Sequence, residues 1–249
     1  MTESNKNLVA GPLGPDGKVS FFHRHSLLLA MAIVALVVIA DQALKIWVKT
    51  HFAWGEDVEI TPWWHLKFIE NNGMAFGIEL WSKLFLTFGR IAAVALLIMF
   101  LVRMRRVASL RTGFIVSVAL IAAGAAGNIF DCVFYGVIFD DPMPPAVAQL
   151  FPPDGGYSTW FEGRVVDMLY FPLFDFYWPE WMPFCGGQYF EFFAFIFNIA
   201  DASICVGVGM LIFIYSRDVS IAFNSLGNKK KEEGAGTGGD NGNSHDGKE

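Results

Sequence analysis

Two segments of the chain repeat one pattern: Asn128-Ile129-Phe130-Asp131 and Asn198-Ile199-Ala200-Asp201. Each sets an amide three residues before a carboxylate, so on a helix the two side chains share a face. Each lies in a long apolar run, and an ionised Asp at the centre of a membrane helix costs about 3 kcal/mol. A third acid, Asp167, stands in the connection between the two segments. Carboxylates brought close cannot both ionise cheaply, so they share a proton. One then acts as a base toward water, and the other as an acid toward a carbonyl oxygen or a leaving amine. That is aspartyl-protease chemistry, and it needs no serine, cysteine or metal. The plainer reading makes these side chains glue between helices, at about 0.6 kcal/mol per hydrogen bond. A single Asn fits that reading. Two Asn-x-x-Asp segments with Asp167 at matching depth favour function, because intramembrane acids are rare.

Other polar residues in the apolar runs have simpler readings. Asp41 and Lys45 are four apart on one helix face and read as an ion pair that lowers the cost of insertion. Their functional alternative is a polar anchor for the site or for a substrate head group. Arg90 reads as a snorkelling or helix-pairing residue. Cys132 follows Asp131 directly, but no histidine pairs recognisably with it, so a nucleophilic role is disfavoured. Carboxylates without histidine make a poor catalytic zinc set, so no metal is expected.

The elements that must position these residues are membrane helices. Of the 249 residues, 54% are hydrophobic, and the mean hydropathy is +0.42, too apolar for an ordinary soluble domain. Four runs approach the ~20 residues that a spanning helix needs: Ser26 to about Lys45, Leu84–Val102, Gly113–Phe130 and Phe192–Tyr215. The runs lack the alternation of barrel strands, so helices are the expected spanning form. No small-residue cleavage site comes after the first run, which reads as a retained span. Arg103, Arg105, Arg106 and Arg111 crowd the second connection, and Arg217 and Lys229–Lys231 the tail. The positive-inside rule then makes both termini cytoplasmic and turns the first and third connections outward. The fold class expected is membrane all-α with four transmembrane helices, an outward β-like cradle and an interfacial segment. On this topology Asp131 ends the third span, and Asp201 lies two to three turns into the fourth. All three acids can then meet near the outer interface, held by Asn128 and Asn198.

The connections carry their own signals. Residues 1–25 read as a loose leader, and the tail 218–249 as disordered, since it holds almost nothing apolar beyond its first turns. The membrane domain is expected over 26–217, with outward insertions at about 48–82 and 135–190. Trp64–Glu70 alternates as a β-strand, and Asn71-Asn72-Gly73 makes a turn. Trp54, Trp63, Trp64 and Trp81 suit a membrane-interface belt. Val165–Tyr170 reads as a short strand, and Pro172 and Pro179 break regular structure beyond it. The formal charge of −6 gives no sign of nucleic-acid binding. Cys132 and Cys185 both face outward and are free to pair, though nothing requires it.

At these residues the chain resembles the lipoprotein signal peptidase family (signal peptidase II) over about 35–215. Asp41-Gln-Ala-Leu-Lys45 is similar to its D-x-x-x-K block, and Asn71-Asn-Gly-Met-Ala-Phe76 to N-x-G-x-A-F. Gly127-Asn-Ile-Phe-Asp131 matches G-N-x-x-D, Gly163-Arg-Val-Val-Asp167 matches G-x-V-V-D, and Phe197-Asn-Ile-Ala-Asp201 matches F-N-x-A-D. The resemblance implies an aspartyl endopeptidase of the bacterial inner membrane, acting near the outer face. Its substrates would be lipid-modified prolipoproteins among membrane phospholipid, cut just before the diacylglyceryl-cysteine, by a monomer without cofactor. It carries the catalytic pair over to Asp167 and Asp201, whereas the helices alone would pair Asp131 with Asp201. Asp41, Lys45, Asn71, Gly73, Asn128, Asp131 and Asn198 become supporting or substrate-contacting residues. Cys132 stands where the family usually has Arg, and Arg164 is the candidate substitute. The acids are spaced 36 and 34 residues apart, wider than usual, and the added residues suggest a lid or membrane-lying flap. The rival readings are a non-enzymatic lipid-binding or carrier protein, and an inactive homologue.

Overall fold

In the computed structural model, residues 25–72, 83–104 and 110–225 are described. The apolar runs become helices because a helix satisfies its own backbone where no water is present. Helix α1 is Ser26–His51, α2 is Lys83–Met104 and α3 is Thr112–Phe130. The last continues through a π turn, Asp131–Tyr135, and one further turn, Gly136–Ile138. These three are long and apolar enough to cross a membrane.

The fourth run differs from expectation. Helix α4 covers only Ile199–Phe213, and α5, Ser216–Ser225, leaves it at 85°. The pair makes a fourth crossing only if counted as one broken span. Two local causes set these limits. Asn198, in extended backbone, caps α4 by accepting from the Asp201 amide at 2.9 Å, while the aromatic residues before it pair as strands. Beyond α4, the Arg111 guanidinium grips Asp218 of α5 at 2.6 and 2.8 Å and also reaches the Ile214 carbonyl.

Small residues bring α3 and α4 together. A Cβ on Gly124 would stand 2.1 Å from the Ala200 carbonyl oxygen. Ser203 donates to the Leu120 carbonyl at 2.8 Å. This is the close backbone approach typical of membrane helix pairs.

Over one end of the bundle lies an antiparallel sheet, in the order β1 (Asp57–Thr61), β2 (Trp64–Asn71), β3 (Val165–Tyr170), β6 (Ile196–Phe197). The two strands expected from alternation, β2 and β3, are present and paired, with Ile69 opposite Asp167 and Asn71 opposite Val165. Val166 and Met168 of β3 enter a core with Val48, Phe52, Phe68, Tyr135, Phe139 and Ala148. Alternation along the strand then turns Asp167 to the other face.

The third connection holds two unlike pieces. The first is no free flap. The backbone N–H groups of Tyr157, Ser158, Phe161 and Gly163 donate to the carbonyls of Phe139, Gly136, Val133 and Cys132 at 2.9, 2.8, 3.2 and 2.8 Å. The segment therefore serves the carbonyls that the π turn and helix end leave open. Gly163 is needed there, since a Cβ would meet the Asp131 carbonyl oxygen at 2.0 Å. The second piece, where prolines led us to expect irregular chain, is a hairpin of β4 (Phe174–Tyr177) and β5 (Tyr189–Phe192).

Candidate functional site

The polar residues singled out in the spans meet in one cluster between the sheet and the helix ends. Lys45 of α1 bridges Asp41 at 2.9 Å and Asp131 at 2.7 Å and donates to Asn128 Oδ1 at 2.8 Å. All three charged groups are buried, so each relies on the others and on hydrogen bonds to offset lost hydration. Gln42 Nε2 donates to Asp131 Oδ1 at 2.7 Å, and Tyr135 donates to Gln42 Oε1 at 3.0 Å. Asp41 Oδ1 accepts from the Ala200 amide at 2.9 Å, fixing the start of α4 against α1.

From Asn128 the network runs to the two remaining acids. Asn128 Nδ2 donates to Asp201 Oδ1 at 2.8 Å. Asn198 Nδ2 donates to Asp167 Oδ1 at 2.6 Å and lies 3.2 Å from Asn128 Oδ1. Two amides thus join Asp167, Asn198, Asn128 and Asp201 in one chain. Asp201 stands in the first turn of α4, not two to three turns in, because the helix starts at the Asn198 cap. Burial, and next the charge of Asp201, push the Asp167 carboxyl up from 3.8 to about 7, against the pull of Lys45 and the Asn198 amide. Asp131 faces Lys45 and Gln42 and reaches the Val166 amide at 3.4 Å, so it braces β3.

The expectation that Arg164 replaces the arginine missing at Cys132 needs correction. Arg164 does not face the acid cluster. It bridges Glu70 at 2.8 Å and Asp141 at 3.0 Å and stacks on Tyr157, and Glu70 in turn is paired with the buried Lys49. The cation beside Cys132 is Arg90, whose Nη1 lies 3.1 Å from the thiol sulfur. Asn71 ends β2 opposite Val165, and Gly73 lies outside the described residues. Cys132 and Cys185 are both free thiols. Gln42 was missed by sequence reasoning, although a glutamine between Asp41 and Lys45 in an apolar helix is itself a signal. Among the described residues, no group of three or more His, Cys, Asp or Glu side chains is arranged to hold a metal ion.

The architecture defines a class: a helical membrane protein with a small sheet over a buried cluster of acids and amides. Within that class, the model described as signal peptidase (SPase) II matches residues 33–217, and the chain belongs to that family. It is similar to the lipoprotein signal peptidase of Porphyromonas gingivalis, with 47% identity over 220 residues, 88% of this chain and 92% of the relative. The lipoprotein signal peptidase of Amoebophilus asiaticus is 33% identical over 186 residues, covering 72% and 74% of the two chains. Among solved structures, a bacterial membrane enzyme determined by the in meso method aligns with a TM-score of 0.53 at 25% identity, over 77% of this chain and 90% of that one. The protein is therefore a membrane peptidase.

Proposed function

We propose that the chain is an intramembrane aspartyl endopeptidase that removes the signal peptide of diacylglyceryl-modified prolipoproteins, cutting just before the lipidated cysteine, with Asp167 and Asp201 as its catalytic pair. The observation that carries this reading is the hydrogen-bonded chain from Asp167 through Asn198 and Asn128 to Asp201. It holds two carboxyls at one locus, neither in an ion pair among the described residues, whereas Asp41 and Asp131 are both paired with Lys45. Asp167, raised to about 7, holds the shared proton at rest. Asp201 takes a proton from water as the water attacks the scissile carbonyl carbon, and Asp167 gives its proton to the carbonyl oxygen. In the collapse of the gem-diol intermediate, Asp201 passes its proton to the leaving amine and a diol hydroxyl returns a proton to Asp167, which restores the pair.

In this reading the helices make four crossings, the α4–α5 pair counting as one, in the bacterial inner membrane. Both termini are cytoplasmic and the acids lie toward the outer face. The membrane domain acts as a monomer, and α5 carries it to Ser225, beyond the boundary expected at 217. Asn71, at the end of β2, and Gly73 keep the substrate-contacting role that the family block implies for them. Arg90 supplies, from α2, the cation that the family block carries at the place of Cys132, which keeps that departure from implying an inactive homologue. The test is incubation of the purified protein with a diacylglyceryl prolipoprotein and mass analysis of the released signal peptide. Asp167→Asn and Asp201→Asn are each expected to abolish release while the protein still inserts. Normal release by Asp201→Asn would overturn the reading.

A further inference from the structure

The β4–β5 hairpin has two chemically distinct faces. Pairing sets Phe174 opposite Phe192 and Phe176 opposite Phe190, with ring centroids 4.7 and 5.1 Å apart. Trp178 packs on both Phe176 and Phe190. The opposite face sets Asp175 against Glu191 and Tyr177 against Tyr189. Although mutually stacked, the phenylalanine face is uncovered, with Phe174 53% and Phe192 43% exposed, and at the turn Trp181 is 79% and Phe184 fully exposed. The two strands bond to each other and to no other described strand. The Tyr170 hydroxyl on Glu191 ties the hairpin back to β3, and the Leu173 amide on the Phe192 carbonyl closes its base. A lone two-stranded ribbon is at best marginally stable in water, so an open ladder of phenylalanines calls for an apolar cover.

We propose that this hairpin is a membrane-interface anchor. Its phenylalanine ladder and tip lie among the acyl chains of the leaflet nearest the acid cluster, and its Asp175–Glu191 face is turned to head groups and water. Three observations favour lipid as the cover. The chain passes from Phe192 through three more phenylalanines, 193, 195 and 197, to the Asn198 cap of α4, a helix whose own Val206, Ile212 and Phe213 are exposed. The ladder thus continues an apolar surface that meets lipid if α4 crosses the membrane. Tryptophan and tyrosine at the edge of such a surface are the residue types of interfacial belts. Finally, residues 165–216 contain five acids and no Lys or Arg, so the attachment works by apolar burial and needs no anionic lipid.

The proposal rests on α4 lying in the membrane, as read above, and not on peptide cleavage. Cys185 at the tip offers a probe, because Cys132 is buried and Cys205 can be removed as Cys205→Ser. The full chain with bimane on Cys185 is reconstituted in phosphatidylcholine vesicles, with and without brominated acyl chains. The expected result is a blue-shifted emission that loses intensity with brominated lipid and is unchanged by salt or by dilution of protein in the membrane. Phe176→Ser combined with Phe190→Ser is expected to return the label to a water-like emission open to iodide. A water-like label in the parent protein would overturn the proposal. So would shielding that requires high protein density, which would mean a second copy, or an added prolipoprotein, which would mean a substrate cover. A protein that fails to cleave still yields the depth reading, so the two proposals fail separately.

Discussion

In the proposed mechanism the chemistry turns on Asp167, whose environment predicts a pH response. Its carboxyl is raised from 3.8 to about 7 by burial and by Asp201. The shared proton is therefore held below that value and lost above it, so turnover is expected to fall on the alkaline side with a midpoint near 7, read from a pH profile of kcat. The same sign governs stability. A folded-state value above the unfolded one means that stability is fully present below about 4 and drains as pH rises through about 7. Asp167→Asn should accordingly melt higher than the parent at pH above 7 and equal to it in acid. Arg90 makes a second prediction at this scale. Arg90→Gln removes the guanidinium beside Cys132 and is expected to slow cleavage roughly tenfold or more, the cost of one charged hydrogen bond. Adding Cys132→Arg should restore most of the rate. Unchanged cleavage by Arg90→Gln would show that the cation is idle. The acids and amides of the buried cluster were legible as candidates in sequence because polar residues stand out in apolar helices. Arg90 was not, because its partner lies 42 positions away and is a thiol. Arg164 misled for the reverse reason: it neighbours the right motif, but its position on the chain sends it away from Asp167 and toward Glu70.

At the scale of elements, the α3–α4 seam decides whether the two Asn-x-x-Asp segments face each other. Gly124→Ala would press a methyl into the Ala200 backbone, whereas Gly209 on α4 has open space beside it. Gly124→Ala is thus expected to lower the melting temperature and cleavage together, and Gly209→Ala to leave both unchanged, as read by thermal unfolding in detergent and the cleavage assay. Equal effects of the two would argue against a tight seam. The start of α3 could be placed from hydropathy to within a residue, since the charged Arg111 stands just before it. The start of α4 could not, because phenylalanine and isoleucine are equally at home in a membrane helix and in a strand. The decision at Asn198 comes from capping and from pairing of Ile196 with Tyr170, a partner far away in sequence. The long third connection hid its structure for a similar reason. Its first part is held by backbone bonds to the end of α3, which leave no side-chain signature.

For the whole molecule, the two buried cores divide the labour. One, around Phe114, Ile115, Val118 and Met104, fills the end of the bundle where Arg111 and Asp218 lock α5. The other, around Tyr135, Phe139, Val166 and Met168, joins sheet to helices beneath the acid cluster. The number of apolar runs made this helical plan legible, while the division between cores depends on contacts between distant segments. The ionic triad of Asp41, Lys45 and Asp131 bears on how the chain enters the membrane. Synthesis delivers α1 well before α3. Asp41 and Lys45 lie on one face of α1, 2.9 Å apart, so the first helix can leave the translocation machinery with no net charge from this pair. Asp131 then arrives on a later helix and finds a cation already waiting. Asp41→Asn, which leaves Lys45 alone on the nascent helix, is expected to reduce insertion of α1 in a glycosylation-mapping assay, and full insertion of that variant would rule the idea out. The pair thus serves biogenesis before it serves the finished cluster, the earliest segment carrying ashore the counter-charge that the third will need.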